Sequence, residues 1–350
     1  MKVEEVQILE FEPTSHCNAK CAHCPRFNIT HHDVFKSDGT LHPDLTLNHI
    51  DVDAVVKNLE LHRMPLLKKV IIQGDKGDPC MHPKIDQLLD ALIAAPSKPQ
   101  ITLTTNGSIR STKWWTSLAE KNYENLEIVF SIDGLEDTNH LYRVGLDYNT
   151  IVKNAKAFID AGGNAIWKMI VFKHNEHQIN DVKALAKSLG FSEFRISPSQ
   201  SSRFKELSQW PVEVDGKVHY LMDSTLNIRP QEIKFKITPV KNLPIVNRTK
   251  EICPNLVTGR VYITHQNYII PCCMMHFDTE LKYFGTEQLK EITGGFDKHD
   301  ISKFPLSVIF EQPFFNNRLL NSFENGNLLY TCEKSCKTAI EQNLKITRAH

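Results

Sequence analysis

Three cysteines, Cys17, Cys21 and Cys24, stand in the run Glu-Pro-Thr-Ser-His-Cys-Asn-Ala-Lys-Cys-Ala-His-Cys-Pro-Arg, directly after an apolar, β-like stretch. With the spacing C-x-x-x-C-x-x-C, three thiolates can grip three corners of one four-iron cluster and leave the fourth iron without a protein ligand. An iron with an open site can bind and activate a small molecule, so the triplet points to catalysis more than to structure. Zinc is the alternative, with His16 or His23 as a fourth ligand. A buried structural triplet is the blandest reading.

A second group follows late in the chain: Cys253, the adjacent pair Cys272 and Cys273, and Cys332 and Cys336. Four of these, Cys253, Cys272, Cys332 and Cys336, can complete a second [4Fe-4S] cluster or a structural zinc site. Cys273 either substitutes for Cys272 or acts as a thiol hydrogen donor; an ordinary buried thiol is the plainer reading. Cys80, beside Pro79, reads as packing.

The elements that must position these residues alternate. Short runs rich in Val, Ile, Leu or Phe lie at Val6–Pro13, Lys69–Gly74, Gln100–Thr105, Leu126–Ile132, Ala165–Phe172 and Glu193–Ser197, as buried parallel strands do. Amphipathic helical patterns separate them at Val52–Leu61, Lys84–Ala94, Thr112–Lys121, Thr150–Ala161 and Ile179–Leu189. Ser111 and Asn149 can cap two of these helices. Gly162-Gly163 and Gly190 stand where a left-handed residue ends a helix. Strand–helix alternation predicts a parallel sheet with right-handed crossovers. Six units fit an α/β fold of the partial TIM-like barrel type, (βα)6; a doubly wound open sheet is the alternative. The barrel is expected over residues 1–198. A proline-rich bridge with a helix or two is expected over 199–252, and a small α+β cluster-binding extension over 253–350. The polar insertion from Phe27 to Asn48 has the length of a lid or of a solvated excursion. Trp114-Trp115 reads as helix packing.

Composition removes several classes. Lys plus Arg number 41, as do Asp plus Glu, so nothing global favours nucleic acid or an anionic membrane as partner. No apolar run is long enough to span a bilayer, and the first residues lack an apolar signal core. A cytoplasmic protein is expected, in which nine cysteines are better explained by metal or cluster ligation than by disulfides.

Unusual groups gather where the strands end, the place for active sites in βα barrels. After the second strand comes Gly-Asp-Lys-Gly-Asp-Pro, with Gly77, Asp78 and Pro79. After the third come Thr105, Asn106 and Gly107, after the fourth Ser131 and Asp133, and further on Tyr-Arg-Val-Gly with Arg143. Lys168 lies on the fifth strand, where a lysine inside a barrel is unusual without a partner.

The cysteine triplet and these segments resemble the radical S-adenosylmethionine (SAM) family. The resemblance implies that the open iron chelates SAM, that reduction cleaves it to methionine and a 5′-deoxyadenosyl radical, and that this radical abstracts hydrogen from a substrate. It implies that Gly77-Asp78-Pro79 takes the place of a Gly-Gly-Glu-Pro-like motif at the SAM ammonium. Thr105 and Asn106 would lie beside the cofactor, Ser131 and Asp133 would approach the ribose, and Arg143 would pair with the SAM carboxylate. His23 stands where the family usually has an aromatic residue and can stack near the adenine. The C-terminal region resembles the twitch or SPASM extension, with Asn267 in a glycine position and strands near Tyr262–Thr264 and Tyr268–Ile270. Five cysteines there, against seven in a full SPASM domain, fit a single auxiliary cluster. The implied protein oxidises a small molecule or modifies a peptide, and takes electrons from an external flavodoxin- or ferredoxin-like donor. Lys168 is a candidate for the substrate site. A peptide would be held by the bridge, by the insertion after Phe27, or by a separate partner. The rival reading is a non-catalytic iron–sulfur or zinc binding module, which has no use for Asp78, Ser131 and Asp133. A two-cluster electron-transfer protein would not need a barrel of this size.

Overall fold

The computed structural model describes residues 1–22, 24–27, 35–36, 39–199, 209–228, 253–280, 286–324, 328–333 and 336. Six parallel strands from the first two hundred residues form most of the main sheet: β1 (Ile8–Phe11), β3 (Lys69–Ile72), β4 (Gln100–Thr105), β5 (Leu126–Ser131), β6 (Ala165–Val171) and β7 (Glu193–Pro198). A two-residue strand, β2 (Phe35–Lys36), lies outside it. Helices α1 (Val52–Asn58), α2 (Ile85–Ile93), α3 (Thr112–Glu120), α4 (Glu136–Tyr142), α5 (Tyr148–Asp160) and α6 (Ile179–Leu189) connect the strands. The six strands run in the order β1-β3-β4-β5-β6-β7, as expected for six βα units. The sheet is open, since its two edge strands do not pair with each other.

Alternation along each strand separates two environments. Leu9, Phe11, Ile101, Leu103, Ile128, Phe130, Trp167 and Met169 are buried in the core that also holds the inner faces of the helices. Trp115 of α3 is fully buried, its ring 5.2 Å from Phe130 and 6.0 Å from Phe158, so it is packing, as its sequence context suggests. The opposite face of the sheet is polar. Arg260 grips Glu10 through Nε and Nη2 at 2.9 and 2.5 Å, Gln73 donates to Glu10 at 2.6 Å, and Thr102 donates to Glu127 at 2.7 Å.

Helix ends follow local chemistry. The Ser111 side chain accepts from Trp114 N and caps α3. α5 starts two residues earlier than Asn149 predicts, because the Asp147 carboxylate takes Thr150 N at 2.6 Å while Asn149 bonds Glu136 instead. Gly190 ends α6 with φ 91°, the left-handed residue expected there.

Residues 200–208 and 229–252 of the bridge, and any helix expected there, lie outside the described residues. The described part of the bridge is a hairpin, β8 (Trp210–Val214) and β9 (Lys217–Leu221), joined to β2 as a separate three-stranded sheet. Trp210, Val212 and Val214 are buried in alternation. Asp215 and Gly216 turn the chain with φ 50° and 73°, which is the two-residue hairpin geometry.

The C-terminal region does not stand apart from the barrel. After α7 (Pro254–Val257), strand β10 (Arg260–Ile263) pairs in parallel with β1, Ile8 opposite Arg260 and Phe11 opposite Ile263. β11 (Ile269–Ile270) then folds back antiparallel on β10. Asn267 sits in the turn with φ 66°, the conformation that its glycine position demands. The main sheet therefore has eight strands and crosses residue 253 unbroken. Among the described residues, no helix is long and apolar enough to cross a membrane.

Beyond β11, His299 is fully buried between the rings of Phe314 and Phe315. Its Nδ1 meets Ile269 O, and its Nε2 has no partner among the described residues. Burial pushes its pKa from 6.5 down to about 4. The unfolded chain takes up a proton that the folded state refuses, so this residue costs stability as pH falls from about 6.5 to about 4. His299→Phe removes that liability. Thermal melts from pH 7 to 4 should show a flatter decline for the variant than for wild type.

Candidate active site

The cysteine loop leaves the C-terminal end of β1. It is held from three sides by segments that follow the next strands. Asp78 N donates to His16 O at 2.8 Å, and a Cβ at Gly77 would lie 1.8 Å from Thr14 O. The β3 turn thus rests directly on the chain entering the cysteine loop, and only glycine permits that approach. On another side, Lys20 N donates to Val144 O at 2.9 Å and Ala22 N to Tyr142 O at 3.3 Å. From the end of β4, Asn106 Nδ2 reaches Cys17 Sγ at 3.8 Å and Asn18 Oδ1 at 2.9 Å.

Asp78 is buried, and its carboxylate is filled by protein donors: Cys80 N at 2.9 Å, Thr105 Oγ1 at 2.9 and 3.1 Å, and Asn106 N at 2.7 Å. It ties the β3 turn to the end of β4. Burial raises its pKa, against the pull of these hydrogen bonds and of Arg143. Pro79 opens a short 3₁₀ turn that Asp78 caps.

Asp133 is likewise committed. Its Oδ2 holds Arg143 Nε at 2.6 Å and its Oδ1 accepts from Ile170 N at 2.6 Å. Asn139 and Asn175 fix its backbone at 2.8 and 2.9 Å. The Arg143 Nη1 reaches Cys21 Sγ at 3.7 Å. The ion pair is therefore buried, not a surface one: the side chains are 14% and 0% exposed. Ser131 stands in register with Lys168 on β6, and Lys168 with Arg195 on β7. The Lys168 ammonium has no hydrogen bond or ion pair among the described residues; burial lowers its pKa, and Arg143 and Arg195 act in the same direction.

Burial raises the pKa of Cys17, and the charges of Asp78, Cys21 and Cys24 add to it. Cys21 is raised by burial and eased by Arg143. Three thiols on one loop, with N–H donors at two sulfurs, fit an iron–sulfur cluster whose irons would stabilise the thiolates. His23 lies outside the described residues.

In the second group, Cys253 and Cys272 are pushed up to about 12 and about 11 by burial. Cys272 and Cys336 add to the shift at Cys253, and Cys336 to that at Cys272, so these three lie within one another's field. Cys332 is buried. At Cys273 burial raises the pKa well above its ordinary value, and Glu10, Asp75 and Cys272 add to it. Cys80 is fully buried, in line with packing.

Sequence reading missed a buried network beside β1. His276 Nδ1 lies 2.6 Å from Glu12 Oε2, and Tyr262 Oη donates to Glu12 at 3.1 Å and reaches Asp75 at 3.3 Å. Lys76 N bonds the other Glu12 oxygen, and Lys76 Nζ donates to His276 O at 3.1 Å. Glu12, His265 and His276 have metal-ligand types close together. The buried Lys76 ammonium opposes a cation there, and Glu12 is already filled by donors. No local spacing signals this network, since its members come from opposite ends of the chain. Arg26, also missed, was within reach: it lies two residues after the last cysteine of the triplet.

The family model of the radical SAM superfamily matches residues 11–187, just over half the chain. No curated protein matches. Among solved structures, the chain is similar to Streptococcus suis SuiB bound to S-adenosylmethionine, with TM-score 0.52 and 16% identity over 77% of this chain and 61% of that one. It is similar to SuiB bound to precursor peptide SuiA, with TM-score 0.54 and 16% identity over 89% and 66%. It also resembles anSMEcpe with bound AdoMet and Cp18Cys peptide, with TM-score 0.51 and 15% identity over 88% and 81%. At these identities the likeness shows the fold, and in the first comparison the chain spans only about three fifths of SuiB.

Proposed function

The chain belongs to the radical SAM superfamily, and on that premise we propose that it removes hydrogen from a peptide with the help of an auxiliary cluster. Bound together, the four-iron cluster and SAM supply an organic radical that takes a hydrogen atom from substrate. The protein holds and orients them. Cys17, Cys21 and Cys24 hold the cluster. Arg143, clamped by Asp133, offers its remaining N–H groups to the SAM carboxylate. Asp78 acts by bracing the β3 turn and the Thr105–Asn106 segment, so that backbone groups of Gly77 and Pro79 meet the ammonium. Ser131 serves the ribose, and His23 the adenine.

The observation that carries this reading is convergence. Asp78, Asn106 and Arg143 leave three different strands or turns and each is bonded to the cysteine loop or to a residue that touches it. A structural metal site needs none of them. A peptide substrate is favoured because SuiB and anSMEcpe have both been solved with peptides. Lys168, beside Arg195, would receive an anionic group of that peptide. An external flavodoxin- or ferredoxin-like protein would deliver the electron.

In the same reading, residues 1–198 carry the radical chemistry and 199–252 bridge to the substrate. Residues 253–350 carry a second [4Fe-4S] cluster on Cys253, Cys272, Cys332 and Cys336. Cys273 is read as a buried thiol outside this ligand set. Iron analysis after anaerobic reconstitution tests the division. Cys272→Ser should lose about four irons per chain, and Cys273→Ser none. Loss in Cys273→Ser alone would reverse the two roles, and loss in neither would remove the auxiliary cluster.

A further inference from the structure

Arg26 is only 5% exposed. Its Nη1 donates to Cys17 O at 3.2 Å and to Ala19 O at 3.4 Å, inside the cysteine loop. Its Nε is buried without a partner among the described residues. The arginines nearest in kind are treated differently. Arg143 and Arg260 are each ion-paired, to Asp133 at 2.6 Å and to Glu10 at 2.5 Å. Arg26, among the described residues, has no carboxylate within ion-pair distance.

A buried guanidinium without a counter-charge costs several kcal/mol. Two neutral carbonyls do not neutralise it. A group that supplies negative charge beside this loop would. Three thiolates around a four-iron cluster carry net negative charge, and reduction adds one more.

We propose that Arg26 is a positioning residue that serves as the built-in counter-charge of the cluster: its fork fixes the cysteine loop, and its charge favours the reduced cluster. The proposal rests on the triad holding a four-iron cluster, a premise that the iron content of wild type checks separately. Two consequences follow. The cluster should be easier to reduce with Arg26 than without it. The cluster-free protein should be burdened by Arg26, so that loading stabilises wild type more than it stabilises a neutral variant.

Arg26→Gln and Arg26→Lys separate charge from fork. Both would be reconstituted anaerobically, and the reduced-cluster EPR signal that changes on adding SAM would be followed in a redox titration. Thermal melts of cluster-free and loaded protein would be recorded beside it. For Arg26→Gln the equilibrium for reduction should fall at least tenfold, which is about 59 mV for one electron. Arg26→Lys should stay within threefold of wild type. The rise in melting temperature on loading should be smaller in Arg26→Gln than in wild type. An unchanged potential in Arg26→Gln, or equal shifts in both variants, would overturn the proposal. If Arg26→Gln takes up no cluster, the cluster-free melts decide. Stability equal to or above wild type supports an unpaired charge, and stability below it reduces Arg26 to a loop brace.

Discussion

Asp133→Ala should destabilise the protein by about 3–5 kcal/mol, the cost of removing one partner from a buried charge pair. The side chain is wholly buried, and its two oxygens serve Arg143 Nε and Ile170 N, each at 2.6 Å. Truncation leaves a guanidinium with 14% exposure without its carboxylate, and a strand N–H without its acceptor. The functional loss should be separable. Without Asp133, Arg143 is no longer aimed at the Cys21 side of the cysteine loop. SAM affinity should therefore fall about tenfold or more, the worth of a charge-assisted contact. Asp133→Asn keeps an acceptor for Ile170 N and should lose less stability while still losing SAM affinity. Urea denaturation and anaerobic calorimetric titration with SAM measure the two. A stability loss below about 1 kcal/mol, the range of a surface pair, would contradict the buried-pair account.

Gly77→Ala should have a comparable effect by steric means alone. The added methyl would lie 1.8 Å from Thr14 O and 2.6 Å from Thr14 C, both backbone atoms. No side chain can rotate away, so the β3 turn and the chain entering the cysteine loop must part. Overpacking of this kind costs about 1–3 kcal/mol or more. Here it should also lower the iron held by Cys17, Cys21 and Cys24, because Asp78 N can no longer hold His16 O. Gly162→Ala is the control. Gly162 has φ 93° but nothing within 4 Å of the added methyl. It should cost about 1–2 kcal/mol from conformation and leave iron content unchanged. Equal iron in wild type and Gly77→Ala would show that the two segments do not depend on each other.

Much of this arrangement is legible in the sequence because it is local. Gln100–Thr105 and Ile179–Leu189 read from periodicity are the elements found. The cysteine spacing and the strand-end motifs lie within single loops. The hairpin at Trp210–Leu221 was legible as well, through its alternating Trp, Val and Val and its Asp-Gly turn, but the surrounding prolines suggested a connector. The Glu136–Tyr142 helix is short and mostly polar, and gives little apolar period to read. The union of β10 with β1 joins residues about 250 apart, and no local pattern encodes such a register. For the same reason the partners of Glu10 and Glu12 are invisible in sequence, although a carboxylate inside an apolar strand signals that a partner must exist. The motifs put the carboxylates of Asp78 and Asp133 on strand-end segments that also meet the cysteine loop. Only side-chain geometry shows that both are occupied by protein donors.

The most direct test is 5′-deoxyadenosine release from SAM by anaerobically reconstituted, dithionite-reduced protein, compared with the Cys17/Cys21/Cys24→Ala variant. The account predicts release that requires both SAM and reductant in wild type, and none in the variant even when its second cysteine group still holds iron. Absence of release from wild type carrying its full iron would contradict it and leave the chain as a metal-binding module built on this fold.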